Sequence, residues 1–385
     1  YPGLAKWYPL EYFPPSYRVL QRYVRRPALE SDYILRNPGE YHASTSPLVQ
    51  ILRKGHHGVE LGEEAWDRLI TWIDLNVPVR PRRLPSSSPA TCKDWPLTRQ
   101  EAKAAQAACG EALTITLGDS SLDFAAIPAG QFVMGNRQGQ PDEWPEHLAR
   151  IERPFLMATR EVANAQYALF DPEHESGFHD HLGKNNEHRG DPLNLPQQPV
   201  VRVSWEEAQA FCAWLSERTG RTVRLPTEAE WEYACRVGTG TALNYGSVEA
   251  DFSPYENFAD RALHEQAFFF PVKPYREWTT GMRYYSMPFA LDARFSDGQT
   301  LPAEPGTLQP NTWGLCDMHG NVQEWTASPY RPYPSTSGEA SDAEEVVARG
   351  GSWMDRPQDA RSAIRRPYAS WQRVHNVGFR VVVEP

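Results

Sequence analysis

NTWGLCDMHGNVQEW (Asn311–Trp325), followed by ARGGSWMDRPQDARSAIRR (Ala348–Arg366) and VGFRVVV (Val377–Val383), decides the fold of this 385-residue chain. Apolar residues alternate there with glycines and hydrogen-bonding groups at short spacings, and no long amphipathic helix appears. That pattern predicts a compact, irregular domain whose loops are pinned by small residues and side-chain contacts.

Upstream, the same domain can be followed back to about Leu113. AIPAGQFVMGN (Ala126–Asn136) alternates around Gly130 and Gly135 and reads as an opening β-hairpin. RPFLMATREVANAQYALF predicts a strand over Phe155–Met157 and a helix from Ala163. Asp171–Asp191 holds His174, His179, His181 and His188, but their spacings fit no zinc pattern, and the Gly- and Asn-rich text reads as an inserted surface loop. Ser204 with Glu207, and Thr227 with Glu230, form two capping boxes that open successive helices, the first ending at Gly220. Glu207 and Glu230 are therefore read as capping residues, not catalytic ones.

Bulk properties narrow the function. The length allows about two to three domains. Hydrophobic residues make up 40%, enough for a core. The 34 Pro, 26 Gly and 13 Trp point to loops anchored by large aromatics. Residues 1–90 carry 12 basic and 9 acidic side chains, the remainder 27 and 40. An acidic main body argues against nucleic acid as a partner. No apolar run approaches a membrane span, so none is expected. The chain opens at Tyr1, without an initiator Met, and is expected to be a processed product. Its five cysteines form no CxxC or CxxCH motif; Cys92 and Cys109 are either a disulfide or two free thiols.

In residues 1–80, a short helix around Leu48–Leu52 is expected to stop at Lys54-Gly55, and a second to run from Glu63 to Asn76. His56-His57 lies between them. Helix, histidine loop, helix suits the distal half of a small c-type cytochrome, in which the loop supplies an axial haem ligand; polar loop residues capping a helix end are the other reading of His56 and His57. The stretch resembles the end of the hydrazine synthase alpha-subunit family of planctomycete type. Residues 81–112 read as a Pro/Ser-rich linker and a short helix, Leu97–Ala112.

The motifs IPAGQFVMGN, REVANAQY, PVVRVSW, RLPTEAEWEYACR, NFAD, GLCDMHGNVQEW, ARGGSW and NVGFRV resemble, in order, the formylglycine-generating enzyme/sulfatase-modifying-factor family. The resemblance implies that residues 113–385 form a single α+β, C-type-lectin-like domain with little regular secondary structure. It also implies bound Ca²⁺, an ion that seeks six to eight oxygen ligands. One site would use Asp317, the carbonyls of Gly320 and Val322, and Glu324. A second would use Asn257, the Phe258 carbonyl, Asp297 and a carbonyl near Gln299. For Asp317 and Glu324, turn capping and a buried ion pair, for instance with Arg349, is the other reading.

The family's oxidases convert a sulfatase cysteine to formylglycine, with two cysteines after GGS holding Cu(I), a soft ion that selects thiolates. Here those positions fall at Asp355 and near Ala360, no cysteine follows Cys316, and Gln323 replaces the Trp of the GNxWEW motif. A formylglycine-generating activity is therefore not expected. Cys212 and Cys235 occupy positions that are disulfide-bonded in such enzymes, but their partners would fall near Val381 and Ser362, so both are expected as buried free thiols.

The expectation is a non-catalytic, Ca²⁺-stabilised binding module in an extracytoplasmic complex with a cytochrome or other protein subunit. Its concave face would be lined by Trp313, Trp325, Arg349, Ser352, Trp353, Asp355, Arg365, Arg366 and Trp371. The alternative is a redox subunit with haem on His56 or His57, or a copper-independent oxidase built around Asp355.

Overall fold

The computed structural model describes residues 47–54, 61–62, 65–66, 69–70, 95–179, 191–262, 292–333 and 345–384. Two compact units divide the chain, residues 1–88 and residues 89–385.

In the first unit a helix spans Pro47–Arg53 and stops at Lys54, as the Gly55 signal predicts. Residues 65–66 and 69–70 are helical within the expected second helix, and the Arg53 guanidinium lies 5.9 Å from the Trp66 ring. His56 and His57 fall outside the described residues.

The second unit starts before its first strand. Thr98 accepts from the Glu101 N–H while Glu101 returns a bond to the Thr98 N–H, and this box opens a helix over Arg99–Cys109. The helix belongs to the domain, not to a free linker: Ala102 is buried, its carbonyl accepts from Trp313 Nε1 at 2.9 Å, and Gln106 donates to the Ala126 and Trp313 carbonyls.

Strands β1 (Leu113–Leu117), β2 (Ser120–Ile127), β5 (Phe155–Ala158), β13 (Val382–Val383) and β8 (Val223–Arg224) form an antiparallel sheet in the order β1-β2-β5-β13-β8. The hairpin expected over Ala126–Asn136 does not form. β3 (Gly130–Met134) pairs instead with β4 (His147–Ile151), and β2 turns back through Gly118 onto β1. Pro128 explains the break, because it has no N–H to carry a ladder from one strand into the next.

A second sheet has the order β11 (Arg366–Ala369), β10 (Glu345–Arg349), β9 (Gln323–Pro329), β12 (Val377–Gly378), with β12 parallel to β9. β6 (Phe178–His179) and β7 (Asp191–Pro192) make a small ribbon.

Both expected capping boxes are present, on helices Trp205–Thr219 and Glu228–Arg236. The first buries Ala208, Phe211, Cys212 and Leu215 and ends at Gly220 in a left-handed conformation. The expected helix after Ala163 is a single turn, Asn164–Tyr167. The core is built on fully buried tryptophans, Trp231, Trp313, Trp325 and Trp353. No helix among the described residues is long and apolar enough to cross a membrane.

Candidate ligand pocket and buried carboxylate cluster

The turn after Cys316 is held in an unusual backbone state. Asp317 and Asn321 both have positive φ, 57° and 56°, which costs energy for residues other than glycine unless the surroundings compensate. The compensation is visible. Asn321 Oδ1 accepts from the Ala303 N–H at 2.8 Å and from Asn257 Nδ2 at 3.1 Å, while its Nδ2 donates to Glu161 Oε1 at 3.1 Å. Gly320 is required here because a Cβ would sit 2.4 Å from the Asn257 carbonyl oxygen.

Glu324 is buried against Arg380: Nη2 reaches Oε1 at 2.6 Å, Nε reaches Oε2 at 2.7 Å, and Trp231 Nε1 adds a bond to Oε2 at 2.8 Å. The ion pair anticipated for this carboxylate therefore exists, but its partner is Arg380, not Arg349. Asp317 accepts from the Gly306 N–H at 2.6 Å through Oδ2 only. Asp317 Oδ1, Glu161 Oε2 and Asn257 Oδ1 are buried without a hydrogen-bond partner. Burial first, then the neighbouring Asp317 charge, pushes Glu161 and Glu256 well above the ordinary carboxylate range.

At the second expected site, Asp297 accepts from the Phe258 N–H (2.9 Å) and the Gln299 N–H (2.7 Å). Phe258 thus meets Asp297 through its N–H. Burial raises Asp297 to about 7, with Asp260 adding to the effect. Orphaned oxygens on Asp317 and Asn257 suit a hard cation, since an unpaired buried acceptor carries an uncompensated desolvation cost. Glu324 fits that role less well, because Arg380 holds both its oxygens. No group of three or more His, Cys, Asp or Glu side chains placed to hold a metal occurs among the described residues.

Of the expected concave face, the structure brings Ser352, Asp355 and Arg366 together. Ser352 Oγ donates to Asp355 Oδ2 at 2.8 Å, and Gln323 Nε2 lies 3.4 Å from the same oxygen. Asn376 Nδ2 donates to Ser352 Oγ, and the Tyr368 hydroxyl donates to Gln323 Oε1. Burial raises Asp355 above its ordinary value, and the Arg366 charge opposes the rise. Gln323, Tyr368 and Asn376 were not singled out as pocket residues from sequence; they lie 8 to 53 positions from one another and meet only because β9, β11 and the start of β12 share a sheet.

The other members do not join this cluster. Trp313 and Trp325 are core residues that donate to the Ala102 and Val203 carbonyls. Arg349 is buried against Glu232 (2.6 Å) and Glu228 (3.1 Å), and Arg365 against Glu228 (2.6 Å). Trp371 is 72% exposed. Trp353 is buried, with the rings of His179 and His375 edge-on to its indole, each at 6.3 Å. Cys212 and Cys235 are buried free thiols, as expected, and Cys109 and Cys316 are also free. Burial raises the thiols of Cys212, Cys235 and Cys316, which makes them poor nucleophiles.

The curled sheets, the Asp317–Trp325 turn and the polar cluster after Gly350-Gly351-Ser352 define an α+β protein of the formylglycine-generating-enzyme type. Residues 118–385 match the sulfatase-modifying factor enzyme 1-like domain, and the chain belongs to that family. It is 26% identical to the formylglycine-generating enzyme of Mycobacterium tuberculosis, over 68% of this chain and 98% of that one. It is 31% identical to the inactive C-alpha-formylglycine-generating enzyme 2 of Bos taurus, over 47% of this chain and 49% of the relative. Among solved structures it is similar to PvdO from Pseudomonas aeruginosa, with a TM-score of 0.53 and 25% identity, covering 71% of this chain and 98% of that one.

Proposed function

We propose that this domain is a binding module rather than a copper-thiolate oxidase, and that Asp355 is the centre of its ligand pocket. The observation that carries this reading is the seat of Asp355. It stands at the first copper-cysteine position of the family resemblance, with Oδ2 fixed by Ser352 and Gln323, and Oδ1 takes no hydrogen bond from the described residues. A preorganised carboxylate with one open oxygen recognises a hydrogen-bond-donating group such as an ammonium. Two carboxylate oxygens are hard donors and do not substitute for two thiolates toward Cu(I).

Ca²⁺ is proposed as a structural ion supported by the unpartnered oxygens of Asp317, in the first expected set, and of Asn257, in the second, to which Asp297 also belongs. The exposed Trp371 is the natural anchor for a protein partner.

Incubation with a sulfatase-derived cysteine peptide, Cu(I) and oxygen, followed by mass spectrometry, should leave the peptide cysteine unchanged. Formylglycine in that peptide would sink the reading. In a thermal-shift screen of small ammonium and guanidinium compounds, Asp355→Asn should abolish any stabilisation that the wild type shows.

A further inference from the structure

We propose that the cleft between residues 164–175 and residues 194–196 binds a small aliphatic diamine. The cleft has a volume of about 300 Å³, which suits a small molecule better than a folded partner. Its two walls are tied to each other. Asn164 Nδ2 donates to the Leu193 and Leu195 carbonyls, each at 2.9 Å, and the Ala165 N–H donates to the Pro196 carbonyl at 2.9 Å. Asp171 is fixed in the wall by the Glu173 N–H, which donates to its Oδ1 at 3.2 Å, and Glu173 and Glu175 stand exposed beside it. Tyr167 also lines the cleft. It is 1% exposed, and its hydroxyl is buried without a hydrogen-bond partner, a cost that a bound donor would remove.

Charge and shape identify the ligand class. Burial, then the charges of Glu207 and Asp171, raise the Tyr167 hydroxyl against the pull of Arg373, so it stays protonated and neutral. Asp171 is therefore both a wall of the cleft and a charge that the hydroxyl senses. The His174 ring lies edge-on to Tyr167 at 4.9 Å, with its Nε2 3.0 Å from the Val201 carbonyl. A carbonyl only accepts, so Nε2 carries the proton and Nδ1 of the neutral ring is left an acceptor. Three carboxylates and neither Lys nor Arg line the cleft among the described residues; Arg373 is committed to Glu207. Such a set of acceptors selects a positively charged donor. A metal ion does not fit, because no three His, Cys, Asp or Glu side chains among the described residues are placed to hold one. Acceptors spread along a cleft suit two ammonium groups joined by a chain, and Ala165, Ala168 and Pro196 offer its methylenes an apolar wall. The site shares no residue with the Asp355 cluster or with either expected Ca²⁺ set.

The test is isothermal titration calorimetry of the full chain with cadaverine, with pentanediol as the neutral control. It is repeated on Tyr167→Phe and on a double variant, Glu173→Gln with Glu175→Gln. Tyr167→Phe removes only an unpartnered hydroxyl and the double variant changes only exposed side chains, so both should fold as the wild type does, checked by near-ultraviolet circular dichroism. The expected result is one diamine per chain, no binding of pentanediol, and an affinity about fivefold weaker in each variant, the loss of one hydrogen bond or more. No saturable binding, or pentanediol bound as tightly as the diamine, would overturn the proposal. So would a Tyr167→Phe variant that binds as the wild type does, because the diamine would then lie on the exposed acidic face and not in the cleft. A double variant that keeps full affinity would equally remove charge as the basis of recognition.

Discussion

Arg349 carries two buried carboxylates and two backbone carbonyls on one guanidinium: Glu232 and Glu228, with the carbonyls of Ser362 and Ile364 each at 2.9 Å. Replacing it leaves Glu232, fully buried, short of a partner. Arg349→Ala is expected to lower the free energy of unfolding by about 3–5 kcal/mol, measured by urea denaturation. The same cluster sets an acid limit on stability. Burial alone would raise Glu232, but Arg236 and Arg349 outweigh it, and Arg224 does the same for Glu230, so both carboxylates lie below their ordinary value of 4.5. A carboxylate whose folded pKa is depressed stabilises the fold above its unfolded pKa and loses that contribution as pH falls through the folded one. The contribution of Glu232 and Glu230 should therefore be lost as pH falls below about 4.5, where urea midpoints should drop. Raised carboxylates such as Asp297 give the opposite slope toward about pH 7. Midpoints independent of pH between about 5 and 3 would remove these carboxylates from the stability account. The carboxylate partners of Arg349 could not be read from sequence, where Arg349 was a candidate for Glu324 and for a ligand face. Arg349 and Glu232 stand 117 positions apart, and no local pattern joins them.

Elements behave differently, because their determinants are local. Ser204 and Thr227 each accept from the N–H three residues on, at 3.2 Å, and each box is complete. Ser204→Ala and Thr227→Ala should each cost about 1 kcal/mol in thermal or urea unfolding. A neutral result would mean that packing alone holds these helix ends. The glycines of the GGS turn are similarly constrained. Gly351 has φ 75°, and a Cβ there would lie 2.4 Å from the Ala360 Cβ. Gly351→Ala should destabilise by more than about 1 kcal/mol, and it should also weaken ligand responses at Asp355, four residues on. Capping signals and turn glycines were legible because both act within a few residues. The β3 partner was not, since alternation shows that a segment is a strand but not which strand it meets.

At the scale of the whole molecule, the domain buries two carboxylates at the Asp317 turn, Asp317 and Glu161, each with an unpartnered oxygen, a cost that a bound cation would offset. Treatment with EGTA is expected to lower the melting temperature and Ca²⁺ to restore it, with Asp317→Asn blunting the response. A melting temperature indifferent to EGTA would refute the calcium proposal. The family resemblance placed Asp317 and Asn257 in two separate cation sites; Asn257 donates to Asn321 of the Asp317 turn, and Glu161, Glu256 and Arg380, which share that neighbourhood, were not singled out. REVANAQY and NVGFRV contain Glu161 and Arg380 in plain view. Their meaning emerges only when β5 and β13 bring the two motifs beside the turn.

Sequence alone determined the family, the α+β class, both capping boxes and the loss of the thiolate pair, since each is a matter of residue identity or of contacts within a turn. Only the tertiary structure decided which aromatics and arginines are core and which face a ligand. It set Arg380 on Glu324 and seated Asp355 between Ser352 and Gln323. Those pairings are made between segments far apart in the chain, where burial and long-range strand order choose the partner and no spacing rule applies.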